Sequence, residues 1–507
     1  MWRNKKYPVC ITFHASRFTY GIIRLMPISL RADRVRWGMV ALLIVAFAAR
    51  ISSLTFQSLW RDEVDALRFA TAPWPELLST FTKPGWNGPL YFALLRGWVA
   101  LTGQTAFALR YFSLLAGVAA VALAFALARR LSDRLTAFLC AMLFALSPYF
   151  IWYSQETKMY ALILALVTLA IYALRRAMHK GSAAWWATLV VATSLAVYCH
   201  ILAALIIPIE MILALVWGLE SRNGGWWKGA LASFACLTLP YLPLLRWELP
   251  LVFSPAQTGF TFYPFDQMLS VMLNGFATGV SGLLAATTIW PASVLLLVGA
   301  VMGTMPWRNR AMLVVWLLLP PLILFLISLN RPIFTDRYLI WIGPAFYLLV
   351  ALGAAALWKL WRPLGTVAIL AVVGVAVAGA YWQANTPIKS DVRDAARYFE
   401  THRAPGDLVI FQIPYLRYTF DYYDPHPYEW ADGPFTNYGM SDADVDAQMR
   451  TIVAGRKTVW LVASEMTMWD SRLQVWHWLE SHARRTDTAE FTQVTLYCYE
   501  LQISNTK

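Results

Sequence analysis

Apolar runs about twenty residues long recur along this chain with short polar breaks between them, which is the length of helix that crosses a bilayer. They fall at roughly 37–56, 107–128, 135–152, 159–174, 184–200, 201–219, 229–245, 283–303, 311–329, 338–357 and 364–382, predicting about eleven membrane-spanning helices. The stretch 88–102 is also apolar but is short and is interrupted by Arg96 and Gly97. After residue 382 the pattern changes. Asp391 to Glu400 reads as an amphipathic helix, Ala404-Pro-Gly-Asp407 as a turn, and Leu408-Val-Ile-Phe411 as a buried strand. Val459 to Val462 repeats the strand pattern, Arg472 to Ala483 reads as a helix, and Phe491 to Leu501 as a closing strand. Alternating helices and short apolar strands predict a small α/β domain. The chain therefore divides into an N-terminal arm (1–36), a membrane part (37–382) and a hydrophilic tail (383–507).

Composition agrees with this division. Of 507 residues 59 % are hydrophobic and 14 % charged, and the mean hydropathy is +0.50, values that belong to a polytopic membrane protein. The net charge of +13 is uneven: residues 1–382 hold 30 Lys+Arg against 12 Asp+Glu, and residues 383–507 hold 12 against 17. The basicity lies in the membrane part, where it serves orientation and anionic headgroups. No basic run accompanies the hydrophilic portion, which argues against nucleic-acid binding. The five cysteines show no CxxC spacing, so neither a zinc motif nor a disulfide framework is expected.

Basic clusters at Arg129-Arg130, Arg175-Arg176, Arg222 with Lys228, Arg308 with Arg310, and Lys359 with Arg362 follow every second span. They share one face with the basic N-terminus only if 88–102 does not cross, and that face is then cytoplasmic. The first outer loop becomes long, roughly 57–106, with 88–102 as a juxtamembrane or re-entrant piece. The loops 153–158, 246–282 and 330–337 fall on the same outer face, as does the tail. Any chemistry is expected there.

Carboxylates are scarce in so apolar a chain, and a pair at a membrane surface marks a functional-site candidate. Asp62-Glu63, beside Arg61, Asp65 and Arg68, is such a pair; the plainer reading is a solvated loop start. Tyr153-Ser-Gln-Glu156-Thr-Lys158 offers a Glu for a sugar hydroxyl and a Lys for a phosphate, or simply a helix cap in an interfacial belt. His200 ends a span, where a structural hydrogen-bonding role is the commoner one. Lys83 to Tyr91 forms a rigid aromatic loop, and Arg331 to Tyr338 brings Arg337 to the same face, free to snorkel or to pair with Asp336. A sugar on a polyprenyl phosphate needs this mixture, with cations for the departing phosphate and a carboxylate for the acceptor proton.

With these motifs in view, the chain resembles bacterial glycosyltransferase family 39 and its GT-C relatives. Those relatives include protein O-mannosyltransferases and the enzymes adding aminoarabinose or galacturonic acid to lipid A. Asp62-Glu63 matches the family's Asp-Glu motif, Gly88-Pro-Leu-Tyr91 its Pro-Pro-Leu-Tyr stretch, and Tyr153-Ser-Gln-Glu-Thr-Lys-Met-Tyr160 its Tyr-Ser-Gln-Glu-Ala-Arg-Met-Tyr run. The chain departs from the aminoarabinose enzymes at Asp65, where they have Arg, and at Asn87 and Gly88, where they have Lys followed by Pro.

The resemblance implies a polytopic α-helical GT-C membrane protein with an extracytoplasmic α/β domain. It implies Asp62 as catalytic carboxylate, with Glu63 beside it and Glu156 as the second acidic group. Lys83, Lys158 and Arg337 are the expected donor-phosphate ligands, and His200, Tyr153 and Tyr91 further site candidates. The expected activity is a hexosyl- or pentosyltransferase that moves a sugar from a polyprenyl-phosphate donor to a glycan, lipid or protein acceptor, with inversion. The expected place is the outer face of a bacterial inner membrane, among membrane lipids, with the N-terminus cytoplasmic. The resemblance implies no definite cofactor and leaves metal dependence open, with Asp62, Glu156 and His200 as the possible set for a divalent metal. The alternative is a transporter or flippase of a lipid-linked glycan, but the paired half-repeats and interrupted helices usual there are not apparent.

Overall fold

The computed structural model describes residues 30–82, 88–220, 224–242, 260–280 and 289–501, with isolated positions 246, 250 and 254. Residues Met1–Ala41 and Leu42–Lys507 form separate compact units. The described part of the first is the beginning of helix α1 (Leu30–Ile51); most of the predicted N-terminal arm lies outside the described residues.

Each of the eleven predicted runs contains a helix. After α1, the long loop holds α2 (Arg61–Thr71), α3 (Trp74–Ser79) and α4 (Pro89–Thr102), the last being the interrupted apolar stretch. Then follow α5 (Ala106–Leu131), α6 (Arg134–Leu146), α7 (Pro148–Ser154), α8 (Tyr160–Lys180) and α9 (Ala183–Cys199). A 3₁₀ turn over Ile201–Leu205 leads into α10 (Ile206–Leu219), and α11 (Trp226–Thr238) comes next. The predicted outer loop 246–282, much of it outside the described residues, contains α12 (Phe265–Thr278). The membrane part ends with α13 (Trp290–Met302), α14 (Trp307–Ser328), a 3₁₀ turn over Asp336–Ile342 running into α15 (Gly343–Leu360), and α16 (Arg362–Asn385). Among the described residues six helices are long and apolar enough to cross a bilayer, and a seventh span results if the bent pair α6–α7 counts as one.

Two local devices hold this part together. Ser147-Pro148 breaks the helix between α6 and α7, because proline removes a backbone donor, and the halves bend by 55°. The break frees carbonyls in an apolar setting, and buried Arg50 supplies their donors: its guanidinium reaches Ala145 O at 2.9 Å, Phe144 O at 3.2 Å and Ser154 Oγ at 3.2 Å. Elsewhere α13 and α15 pack backbone to backbone. A Cβ at Gly299 would strike Leu349 O, and one at Gly353 would strike Leu295 O. Small residues permit such close approach between membrane helices. Helix α15 is buried from Gly343 to Ala356.

The tail folds as predicted into an α/β unit, with more elements than its apolar pattern revealed. It runs α17 (Val392–His402), β1 (Leu408–Phe411), α18 (Leu416–Tyr423), β2 (Glu429–Asp432), α19 (Asp442–Ile452), β3 (Thr458–Ala463), α20 (Gln474–His482), β4 (Ala483–Phe491) and β5 (Val494–Leu501). The sheet order is β2-β1-β3-β5-β4, parallel across β2-β1-β3 and antiparallel across β3-β5-β4. Apolar clusters cover both faces: one joins Phe399, Phe411, Phe420 and Trp460, the other Ile410, Met449, Leu461 and Leu479.

The loop after α1 ties this domain to the membrane part. The Gln57 side-chain amide donates to Thr386 O at 2.7 Å, and its oxygen accepts from the backbone of Ile388 and Lys389. Arg393 donates to Thr55 O and Phe56 O, and the Tyr423 hydroxyl accepts from Leu59 N at 2.6 Å.

Candidate active site

Helix α2 begins right after this tied loop, and its first turn carries the acidic pair. Successive residues on a helix are about 100° apart, so the two carboxylates point differently. Asp62 faces partly outward, with 21 % of its side chain exposed. Arg337 Nη2 lies 3.3 Å from its Oδ2, and Arg61 Nε 3.8 Å from Oδ1. Glu63 points inward and is fully buried. Buried Arg110 of α5 grips it with two parallel bonds, Nε to Oε1 at 2.8 Å and Nη2 to Oε2 at 2.7 Å. The remaining Arg110 donors reach Leu54 O, Gln57 O and Ser58 O. Glu63 also accepts from Thr157 N at 2.9 Å and from Lys389 Nζ at 2.9 Å, so both its oxygens are engaged. Burial by itself raises the Glu63 carboxyl, but Arg110 and then Lys389 bring it down to about 2.

Glu156, in the turn between α7 and α8, is buried. Its Oε1 accepts from Trp60 Nε1 at 3.1 Å and lies 3.1 Å from Lys389 Nζ. Its Oε2 has no hydrogen-bond partner among the described residues. Lys389 thus bridges the two buried acids, with its ammonium 5.7 Å from the Trp60 ring centre and 5.2 Å from that of Trp152.

Next to this cluster lies a cavity of about 190 Å³. Trp60, Trp152, Tyr153, Glu156 and Arg337 line it from the membrane part, and Lys389 and Glu465 from the tail. Asp62 adjoins it through Arg61 and Arg337, which both reach the lining. Tyr153 leans on Tyr149 and Tyr160 and donates a long hydrogen bond, 3.4 Å, to Asp336.

Lys158, Tyr91 and His200 are not among the residues that line this cavity. Lys158 is half-buried and has no salt-bridge partner among the described residues. Its carbonyl accepts from Ser113, whose hydroxyl lies 3.5 Å from that of buried Tyr91; Tyr91 therefore buttresses the turn and does not line the cavity. His200 is buried against Tyr338, with ring centres 4.6 Å apart. Its Nδ1 accepts from Leu202 N and caps the 3₁₀ turn, while Nε2 is unpartnered among the described residues. Lys83 lies outside the described residues.

Arg110 and Lys389 were not among the sequence candidates. Arg110 did carry a signal, as an ionisable residue inside an apolar run, a feature that points to function or a buried partner. Lys389 carried none, being one lysine in a polar linker.

The carboxylates of this site do not suit a divalent ion. Asp62 is paired with Arg337 and Arg61, Glu63 with Arg110 and Lys389, and Glu156 with Lys389, so protein cations already hold the charge a metal would need. The set Asp62, Glu156 and His200 does not converge. Among the described residues, the one group of three with metal-ligating side chains close together is Glu400, Asp424 and His426 in the tail, where Arg403 already lies 3.4 Å from Asp424.

A multi-pass helical body, a long first loop with an acidic pair, and an α/β tail docked onto that loop make up the GT-C glycosyltransferase fold. The family model for dolichyl-phosphate-mannose-protein mannosyltransferase matches residues 83–247. Among solved structures, ArnT from Cupriavidus metallidurans in the apo state is similar with a TM-score of 0.59 at 14 % identity, over 92 % of this chain and 98 % of that one. The same protein bound to undecaprenyl phosphate gives 0.56 at 14 % identity, over 90 % and 97 %. The Archaeoglobus fulgidus oligosaccharyltransferase in complex with Zn and sulfate gives 0.55 at 13 % identity, over 91 % and 72 %. Likeness at this identity is one of fold. No curated protein matches the chain by sequence.

Proposed function

We propose that this protein is a membrane glycosyltransferase that moves a hexose or pentose from a polyprenyl-phosphate donor to an acceptor hydroxyl, with inversion. In this reading about eleven helices span a bacterial inner membrane, and the cavity faces its outer side. The observation that carries it is the placement of Asp62, a partly exposed carboxylate held by two arginines that line a cavity between membrane part and tail. The neighbour solved with undecaprenyl phosphate adds support for the donor class.

The step needs one base and a well-neutralised leaving group. Asp62 takes the proton of the acceptor hydroxyl as its oxygen bonds to the anomeric carbon. The bond from that carbon to the phosphate oxygen breaks, and its electron pair leaves with the phosphate. Arg337, 3.3 Å from Asp62, is assigned to share its charge between that carboxylate and the phosphate, and Lys158 is assigned to the same phosphate; cations aimed at developing charge lower the barrier. Lys83 is proposed with them from the family pattern alone. Glu63 is assigned a positioning role, because neither of its oxygens is free to accept a proton. His200 and Tyr91 are assigned supporting roles for the same turn and helix ends.

Purified protein in liposomes, given radiolabelled glycosyl undecaprenyl phosphate and a total envelope extract as acceptor, should move label out of the donor. Donor left intact with every sugar tried, in a folded preparation, would contradict the reading.

A further inference from the structure

Lys389 carries a charge from the tail into the membrane part. Its Nζ lies 2.9 Å from Glu63 Oε2 and 3.1 Å from Glu156 Oε1, and 7 % of the side chain is exposed. Arg110 cannot stand in for it. The Arg110 donors are all taken, by both oxygens of Glu63 and by the carbonyls of Leu54, Gln57 and Ser58. Lys389 is therefore the one cation in salt-bridge contact with Glu156 among the described residues. Two buried acids need two cations, and the second comes from the tail.

Each acid stands beside a residue of the proposed reaction. Glu63 follows Asp62 in the first turn of α2. Glu156 accepts from the indole of Trp60, the residue that precedes α2, and the Glu156 carbonyl accepts from Lys158 N at 2.8 Å. Lys389 thus pins the start of the helix bearing Asp62 and the turn bearing Lys158 to one point. The lysine is itself held from two sides. Gln57 Oε1 accepts from the backbone N–H of Lys389 at 3.1 Å and of Ile388 at 2.9 Å. From the turn between β4 and β5, Gln493 Nε2 donates to Ile388 O at 2.9 Å, and Thr492 O accepts from Asp391 N at 2.8 Å.

We infer that Lys389 is a positioning residue for the transfer step, through which the docked tail fixes Asp62 relative to Lys158 by holding Glu63 and Glu156. This inference rests on the proposed polyprenyl-phosphate glycosyl transfer. Lys389 acts through the two acids and not on the reacting atoms. Without its ammonium a buried carboxylate is left unpaired, so Glu156 moves from its place and shifts Trp60 and the Lys158 turn with it.

The test is a double-variant cycle on Lys389→Met and Glu156→Gln, made in the full chain in liposomes. It reads single-turnover transfer at saturating levels of the labelled glycosyl undecaprenyl phosphate that wild type uses, with envelope extract as acceptor. Thermal melts run in parallel, and rates are compared at a temperature where every variant is folded. Lys389→Met should slow transfer about a hundredfold, the scale set by a misplacement of about 1 Å. Adding Glu156→Gln removes the stranded charge and keeps an acceptor for Trp60, so the double variant should regain about tenfold over Lys389→Met. If Lys389→Met does not fold, Lys389→Gln, whose amide donates without charge, takes its place in the cycle. A lysine variant that transfers at the wild-type rate overturns the inference. So does a double variant no faster than the single lysine variant, because the ammonium would then not act through Glu156. Wild-type protein that moves no label overturns the glycosyltransferase reading instead.

Discussion

Glu63 and Arg110 illustrate what a single residue contributes here. A buried, doubly hydrogen-bonded ion pair is strongly destabilising to break from one side, typically by about 3–5 kcal/mol, because the other charge is stranded. Glu63→Gln should therefore unfold well below wild type in thermal melts. The pH dependence follows from the carboxyl's fall from 4.5 to about 2 on folding. A lowered folded-state value contributes stability in full above the ordinary value of 4.5, and loses it as pH falls toward 2. The wild-type melting temperature should drop more steeply across that window than that of the glutamine variant, and parallel curves would contradict the buried pair. At Lys158, a charge-assisted bond to the donor phosphate is worth roughly 1.5–3 kcal/mol. Lys158→Ala should weaken donor binding by about one to two orders of magnitude and slow transfer, while Lys158→Arg stays close to wild type. Alanine with unchanged affinity and turnover would leave Lys158 as an interfacial anchor. The sequence brought the acidic pair to notice as one feature, yet adjacent helical positions diverge, and only the fold separates an outward Asp62 from an inward Glu63. Lys389 was illegible for a related reason, since its importance comes from Gln57 fixing the linker at a distant point in the chain.

At the scale of elements, apolar length located a helix in each predicted run and the sheet's interior strands, although among the described residues only six helices, or seven spans with the bent pair, are long and apolar enough to cross a bilayer. It failed where burial is incomplete. Strand β2 is mostly exposed, and β4 is rich in Arg, Thr, Asp and Glu. Both lie at edges of the sheet, where polar side chains are normal and discourage pairing with another chain. The break at Ser147-Pro148 was hidden as well, because the predicted run 135–152 is apolar on both sides of it. The crossing of α13 and α15 gives a clear prediction for this scale. Gly353→Val places a branched side chain against the carbonyl of Leu295, and overpacking of this kind typically costs about 1–3 kcal/mol. The variant should melt lower than wild type in the same detergent, whereas Gly374→Val, where a Cβ meets nothing within 4 Å, should not. Equal melting temperatures would mean that the two helices are not in backbone contact.

The whole molecule joins two things that the sequence kept apart, a membrane part with an outer loop and a hydrophilic tail. The structure brings Lys389 and Glu465 of the tail into the cavity wall and Lys389 onto both buried acids. The arginines around Asp62 and the cavity lined by Trp60 and Trp152 adjoin at this junction of membrane part and tail. In this account the chemistry depends on Asp62 as base, and general-base catalysis typically contributes about 10²–10⁴-fold in rate. The most direct measurement is the single-turnover rate of sugar transfer from labelled glycosyl undecaprenyl phosphate by wild type and by Asp62→Asn, alongside donor affinity for each. Transfer should collapse by about that factor in the variant while donor binding stays near wild type. Transfer at a near-wild-type rate in folded Asp62→Asn protein would contradict the account.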